Sequence, residues 1–376
     1  MISRPLGLCA VFSVAALVAC GPATSPDDGS TVTDSAIDAV NAIDAREDAS
    51  VSQDATMDTA TSPDAGLDAS EEASVSVPDA SDAPDVPDAN VDAGPPVNPM
   101  MGIGAVELVR AGFMFTEGPQ WRSREGDLLF SDIPANTIHR VNTPAMFTVF
   151  RMPSDNSNGL AVDAMGRLLA AEHGSRSVTR TRADGSRETL AREFREGGMM
   201  RRLNSPNDVI VRSDGTVYFT DPPFGIPAGQ TRELTFNGVF RLSPTGVLTA
   251  EYRGGTSTRP NGIALSPDER TLYVADSADG NVRAWAVGTD GALTGERIAA
   301  RTMGNADGMA VDSQGNLFVT TRVGVEVFAP SGTRWGTITV PMQPANCAFG
   351  ESDRRTLFIT ARQGLFRVRL AMPGLY

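Results

Sequence analysis

The amino-acid sequence predicts an all-β protein whose C-terminal part is a six-bladed β-propeller. The first observation is a pattern that occurs six times: an acid or amide, usually a glycine, an apolar run, a turn and a second apolar run. The turns, such as SPDE and SDGT, are typical of β-hairpins. The second observation is the spacing of the copies, 39 to 54 residues, because units this small cannot bury a core alone and must stack. The copies begin at Glu117, Asn158, Asn207, Asn261, Asp307 and Asn346.

The remaining strands indicate how the ring closes. Each of the first five copies is followed by two more strand-like runs, which would complete a four-stranded blade. The sixth copy is followed by only one, GLFRVRL. We predict that AVELVRAG, residues 105–112, supplies the missing outer strand and so leaves the last blade without an open edge. The alternative is a generic all-β domain with an accidental repeat, although about 270 residues would be large for a single core.

Residues 1–19 are predicted to be a signal peptide for export. Arg4 precedes an apolar run, residues 6–18, that is too short to span a bilayer. The run leads into LVAC, ending at Cys20, which resembles a bacterial lipobox and implies that Cys20 is lipidated after cleavage. We therefore expect an exported lipoprotein, periplasmic or on the cell surface, that meets the membrane only through its lipid. The alternative is an ordinary secretory signal with a coincidental cysteine.

Residues 20–100 are predicted to be a disordered, acidic linker. Residues 21–99 contain 18 acidic side chains, one basic side chain and almost no large apolar ones. Such a segment cannot offset its ordering entropy by burial, so we expect an extended spacer rather than a domain. A calcium-scavenging tail is the less favoured alternative. The propeller, residues 101–376, keeps 28 acids and 30 bases and has no concentrated basic stripe, so no nucleic-acid partner is expected.

The first residue of each copy is the candidate metal ligand. The first strand of each propeller blade lines the central channel, so these six side chains are predicted to point into it. All six carry an oxygen and two are charged, a set that suits a hard divalent cation, above all Ca²⁺. Asn or Asp before glycine is also ordinary turn chemistry, which is the alternative explanation. Asn158 and Asn346 are the weakest candidates, because six protein ligands would leave little room for a substrate.

The second strand of each hairpin returns to the same face of the propeller. Its end residues are predicted to form an outer rim around the metal, and His173 and Arg176 are candidate substrate-binding residues beside that rim. His139 lies on a third strand and is predicted to face elsewhere. A serine triad is not indicated, because GxSxG does not occur. The rim residues are Asp132, Glu172, His173, Asp221, Asp276, Thr321 and Thr360.

Five runs resemble a known family: FTEGPQW, NGLAVDAMGRLLAAEHGSRSVTR, LNSPNDVIVRSDGTVYFTDPPFGI, RPNGIALSPDERTLYVADS and ADGMAVDSQGNLFVTT. They are similar to the gluconolactonase branch of the gluconolactonase, regucalcin and senescence-marker-protein family, from Glu117 to about residue 370. The resemblance implies a six-bladed propeller with a divalent ion in its channel, and hydrolysis of sugar lactones. It also implies that Glu117, Asn261 and Asp307 hold the metal, and that Asn207 contacts the metal or the substrate.

The function that these features favour is hydrolysis of a sugar lactone by an exported, divalent-metal-dependent enzyme. Asp307 is the predicted general base, with Asp221 and Asp276 as lesser candidates; Asn158, Asn207, His173 and Arg176 are the predicted substrate-binding residues. Two alternatives stay open. One is a surface-tethered binding or scaffold propeller without catalysis, and the other is phosphotriester hydrolysis at the same site.

Overall fold

The computed structural model describes residues 97–142 and 146–375. The predicted signal peptide, Cys20 and the linker up to residue 96 lie outside these ranges. Every regular element within them is a β-strand, and the strands form six four-stranded sheets and one separate hairpin. A helix that could cross a membrane does not occur in this part of the chain. The predicted six-bladed all-β architecture is therefore confirmed.

The chain enters the propeller through β1 (Glu107–Ala111), and each blade then runs from the channel outwards in chain order. Blade 1 consists of β2 (Thr116–Arg122), β3 (Asp127–Asp132), β4 (Thr137–Asn142) and β5 (Met146–Arg151). Blade 2 consists of β6 (Ser157–Val162), β7 (Leu168–Glu172), β8 (Ser177–Thr181) and β9 (Arg187–Ala191). A hairpin that the repeat pattern did not indicate follows, formed by β10 (Glu193–Glu196) and β11 (Met199–Arg202).

Blades 3 to 5 repeat the same antiparallel order. Blade 3 consists of β12 (Val209–Val211), β13 (Val217–Asp221), β14 (Asn237–Leu242) and β15 (Leu248–Gly254). Blade 4 consists of β16 (Pro260–Leu265), β17 (Thr271–Asp276), β18 (Asn281–Val287) and β19 (Leu293–Arg301). Blade 5 consists of β20 (Met309–Val311), β21 (Leu317–Thr321), β22 (Gly324–Phe328) and β23 (Arg334–Ile338).

Blade 6 contains β24 (Asn346–Gly350), β25 (Thr356–Ala361) and β26 (Gly364–Arg369), and its outer strand is β1. β1 pairs antiparallel with β26 from Glu107 opposite Arg367 to Ala111 opposite Gly364. The ion pair between Glu107 and Arg367, 2.9 Å, lies on the same two strands. The predicted closure by an N-terminal strand is confirmed, and the edge of β26 is paired with β1 instead of being open.

The hydrophobic core is divided among the blade interfaces. Six clusters of buried apolar side chains occur in the described ranges, and each joins two neighbouring blades. The cluster between blades 6 and 1 contains Trp121, Phe130 and Phe358, with Val109 of β1 packed against it. Because each blade contributes both of its faces, its inner strands are apolar on both sides, as in β13 (VYFTD), where every residue is buried.

Candidate metal and substrate site

In four of the six copies a glycine directly follows the first residue, and neighbouring blades nearly touch at these glycines. A Cβ on Gly118 would lie 2.1 Å from the carbonyl oxygen of Asn158, and one on Gly262 would lie 2.4 Å from that of Asp307. A Cβ on Gly308 would lie 2.1 Å from Cγ of Asn346. Real Cβ atoms do not approach other atoms so closely, so the packing of neighbouring blades explains why glycine occurs at this position.

Hydroxyl groups on the second strands fix the ring residues relative to the next blade. They lie on β3, β13 and β21, and each donates to a backbone carbonyl at or next to a ring position. Since each bond crosses a blade interface, it holds the first strands of neighbouring blades together. The bonds, each 2.7 Å, run from Ser131 to Asn158, from Thr220 to Asn261 and from Thr320 to Ala345.

Five of the six predicted ring residues are buried, and Asp307 is half-buried. Three of the amides form a hydrogen-bonded chain: Nδ2 of Asn158 donates to Oδ1 of Asn207 at 2.8 Å, and Nδ2 of Asn207 donates to Oδ1 of Asn261 at 2.6 Å. The structure thus brings side chains of blades 2, 3 and 4 together as predicted. Asp307 is held by its backbone, which donates to Thr320 O and accepts from Gly262 N.

Asp208 is a candidate functional residue that sequence reasoning missed. It occupies the position that is glycine in four of the copies, and its buried carboxylate lies among the first strands. Its Oδ1 accepts from Val209 N at 2.9 Å, and its Oδ2 accepts from Ile263 N at 3.3 Å and from Nδ2 of Asn346 at 3.5 Å. The signal was present in the repeat, where the third copy reads ND instead of NG.

Glu117 and Asp208 are two buried carboxylates that influence each other. Burial and, to a smaller extent, the nearby charge of Asp208 together raise the pKa of Glu117 to about 8, against hydrogen bonds from Gly118 and Asn346. Burial likewise raises the pKa of Asp208 to about 7. Backbone N–H groups and amides only partly stabilise such anions, so the pair attracts either protons or a cation. The donor set, hard oxygens of carboxylates and amides, fits a divalent cation.

Three or more His, Cys, Asp or Glu side chains do not cluster as a metal site anywhere in residues 97–142 and 146–375. A cation in this channel would therefore depend on amide oxygens as well as carboxylates. Glu117, Asn207, Asn261 and Asp307, the predicted ligands, supply two of each. An oxygen set of two carboxylates and two amides is compatible with Ca²⁺, which accepts both kinds of ligand.

The predicted rim carboxylates make hydrogen bonds with the backbone. Three of them accept hydrogen bonds from backbone N–H groups in the segment just before a ring residue. They therefore hold that segment in place, and the outer rim around the metal stays a prediction. The bonds join Asp132 to Met114 and Phe115 (both 3.0 Å), Asp221 to Asn204 (2.7 Å) and Asp276 to Arg259 (2.8 Å).

His173 is buried next to the amide chain. Its Nε2 lies 3.4 Å from Nδ2 of Asn158. Burial lowers the pKa of His173 to about 4, so the imidazole is neutral near pH 7. The loop between β13 and β14 covers the ring, since a Cβ on Gly225 would lie 2.1 Å from its Cγ. The structure thus places His173 beside Asn158, where it can hold that amide.

Arg176 lies in the β7–β8 turn and is buried. Its Nε donates to the carbonyl oxygens of Leu203 and Asn204, at 2.8 and 2.9 Å, and its Nη1 donates to that of Thr231 at 3.1 Å. The guanidinium therefore joins the segment that precedes Asn207 to the β13–β14 loop. Its contacts in the structure are those of a loop support; the predicted substrate contact stays a prediction.

His139, which was predicted to face elsewhere, and Cys347 pack against apolar side chains. The ring of His139 stacks on Phe130, with 5.2 Å between centroids, and meets the tilted ring of Phe113 at 5.0 Å, beside the cluster between blades 6 and 1. Cys347 is free and buried, and burial raises the pKa of its thiol. Neither side chain belongs to the candidate site.

Beneath the ring lies a cavity of about 100 Å³. First strands from all six blades line it, mostly with Leu, Val, Ile, Ala and Met, and Asp208 and Asn346 are among its polar residues. The ring thus separates a narrow apolar channel from the face that carries His173 and the β13–β14 loop.

A sequence model described as SMP-30/gluconolactonase/LRE-like region matches residues 115–363. The chain belongs to this family. Among its relatives, a gluconolactonase of Zymomonas mobilis is 36% identical over 298 residues, which cover 72% of this chain and 82% of the relative. A pentonolactonase of Haloferax volcanii is 28% identical over 258 residues, which cover 66% of this chain and 81% of the relative.

Solved structures of the family agree with the fold. The solved structure of a gluconolactonase from Xanthomonas campestris superposes with a TM-score of 0.65 at 36% identity, over 70% of this chain and 89% of that chain. The resemblance predicted from the sequence is confirmed, and the relatives support a hydrolase of the lactonase type. Membership of the family implies a divalent cation. The choice of Ca²⁺, the lipid anchor and the roles of single residues stay predictions.

Proposed function

We propose that this chain is an exported, membrane-tethered hydrolase that opens a sugar lactone with the help of a divalent cation, most favourably Ca²⁺. The observation that carries the proposal is the buried carboxylate pair, Glu117 and Asp208, beside a chain of amides in a propeller of the gluconolactonase family. Two anions in a buried channel are costly unless a cation or protons neutralise them.

Glu117, Asn207, Asn261 and Asp307 would hold the cation. When bound, it would polarise the lactone carbonyl and stabilise the negative charge that develops on its oxygen. Asp208 is the second anion of the pair with Glu117, and its Oδ2 holds Asn346 by accepting a hydrogen bond from Nδ2. The remaining steps belong to side chains that position the substrate and move a proton.

Asp307 takes the proton from the attacking water in this proposal. It is half-buried, so water reaches it, and its backbone is held between β16 and β21 by bonds to Gly262 and Thr320. Asn158 and Asn207 orient the sugar hydroxyls with amide groups that the chain of hydrogen bonds has already fixed. Neutral His173 supports Asn158, and Arg176 keeps the β13–β14 loop in position over the site. Pre-organised groups of this kind lose little freedom when the substrate binds.

Export and tethering rest on the sequence alone. LVAC, ending at Cys20, follows an apolar run of signal-peptide length, and residues 21–99 form an acidic spacer. The spacer would hold the propeller away from a membrane to which a lipid on Cys20 is attached. The substrate would then be a lactone outside the cytoplasm.

The test is an assay of the full chain on a panel of aldonolactones, homoserine lactones and a phosphotriester. Activity on a sugar lactone that EDTA abolishes and Ca²⁺ restores is the expected result. Preference for the phosphotriester would favour the same site with a different substrate. No turnover of any compound by a protein that still binds Ca²⁺ would favour a non-catalytic binding or scaffold propeller and would refute the lactonase proposal.

A further inference from the structure

Ser277 ends the amide chain of the candidate site. Nδ2 of Asn261 donates to Oγ of Ser277 at 2.9 Å, and this hydroxyl donates to the carbonyl oxygen of Ala306 at 2.6 Å. Ala306 directly precedes Asp307. One half-buried hydroxyl on blade 4 therefore contacts both an amide of the ring and the segment that carries the proposed base.

The hydrogen bond from Ser277 to Ala306 determines the direction of every hydrogen bond in the amide chain. A carbonyl oxygen can only accept, so the proton of Ser277 must point to Ala306. Its lone pair then faces Asn261, which has to present its Nδ2. The Oδ1 of Asn261 consequently faces Asn207 and accepts a hydrogen bond from its Nδ2. The Oδ1 of Asn207 is then left to accept the hydrogen bond from Nδ2 of Asn158.

We propose that Ser277 is a positioning residue that sets the orientation of the ring amides and holds the Asp307 segment against them. The inference rests on the proposed function insofar as the oriented groups serve a divalent cation, because cations bind the oxygen of an amide and are repelled by its NH₂. Without the hydroxyl, Asn261 can rotate and present nitrogen where oxygen is needed. Ala306 also loses the donor that links it to blade 4.

The experiment compares three variants of the full chain. Ser277→Ala removes both bonds, and Ser277→Thr keeps the hydroxyl. Ser266→Ala is the matched control, because Ser266 lies in the β16–β17 turn of the same blade and also makes two bonds, to Asp268 and from Thr271. Calcium affinity is measured by calorimetry, and kcat and KM are measured on glucono-1,5-lactone.

We expect Ser277→Ala to bind Ca²⁺ about 10-fold more weakly, the usual effect of losing a group that orients a metal ligand. Ser277→Thr and Ser266→Ala should bind as the parent does, and added Ca²⁺ should recover part of the kcat of Ser277→Ala. Equal affinity of Ser277→Ala and the parent overturns the proposal. So does a Ser277→Thr variant that is as weak as Ser277→Ala.

A metal-free measurement separates this inference from the proposed function. The side-chain amide resonances of the ring asparagines, identified with Asn261→Asp, report the hydrogen bonds directly by ¹H–¹⁵N NMR. Ser277→Ala should make the Asn261 amide protons exchange faster with water, whereas Ser266→Ala should leave them unchanged. If the parent binds no cation, the metal part of the proposed function fails, and the NMR result alone decides whether Ser277 orients the amides. Unchanged exchange in Ser277→Ala overturns the inference.

Discussion

The buried carboxylate of Asp221 should make the propeller less stable as the pH rises. Its Oδ2 accepts from Asn204 N at 2.7 Å, but its Oδ1 is buried and has no hydrogen-bond partner among residues 97–142 and 146–375. Burial raises its pKa from 3.8 to about 7, against the lowering effect of backbone N–H groups and of the nearby charges of Arg176 and Arg232. The folded state therefore binds a proton more tightly than the unfolded state does.

The sign and the size follow from this shift. A folded pKa above the unfolded value gives a stability contribution that is complete below pH 3.8 and is lost as the pH rises to about 7. About three pKa units at about 1.4 kcal/mol each set a ceiling of about 4 kcal/mol. Asp221→Asn removes the ionisation and keeps an oxygen for Asn204 N, so the variant should not lose this stability.

The assay is urea unfolding of the parent and of Asp221→Asn at about pH 4 and about pH 8, in EDTA. We expect similar free energies of unfolding at the lower pH and a more stable variant at the higher pH. Asp276→Asn is the matched control: Asp276 also holds a ring segment but pairs with Arg283 at 3.3 Å, so its loss should destabilise the protein at the higher pH. An Asp221→Asn variant with the pH dependence of the parent would refute the reasoning. Retained lactonase activity would also exclude Asp221 as the base.

Three further predictions concern closure, tethering and catalysis. A chain starting at Phe113 lacks β1 and should melt at least about 5 °C below one starting at Met100, because β26 loses its partner; equal melting temperatures would contradict the closure. The Cys20→Ser variant should be released from the membrane fraction or keep its signal peptide. Unchanged fractionation together with unchanged processing would count against lipidation. Both Glu117→Gln and Asp307→Asn should lose at least about 100-fold in kcat/KM. Excess Ca²⁺ should restore much of the activity of Glu117→Gln but little of that of Asp307→Asn. Full recovery of the Asp307→Asn activity would show that Asp307 is a metal ligand and not the base.

The repeated pattern determined the number of blades, the closing strand and the residues of the ring. Side chains alternate along a strand, so a fixed place in each repeat predicts a fixed direction, inward for Asn158 and its equivalents. The closing strand was predictable because residues 105–112 have strand character and the sixth copy lacked an outer strand. These properties depend only on order and spacing along the chain.

Contacts between blades could be decided only by the tertiary structure. Asp208 enters the channel because blade 2 presents Gly159 there, where a Cβ would lie 2.2 Å from its Oδ1. Ser277 meets Ala306 only because neighbouring sheets bring together segments that are 29 residues apart in the sequence. Hydrogen bonding selects partners within about 3 Å, and a sequence pattern does not specify distances between stacked sheets. The sequence by itself therefore determined which side chains face the channel, and the packing of the blades decided what each of them binds.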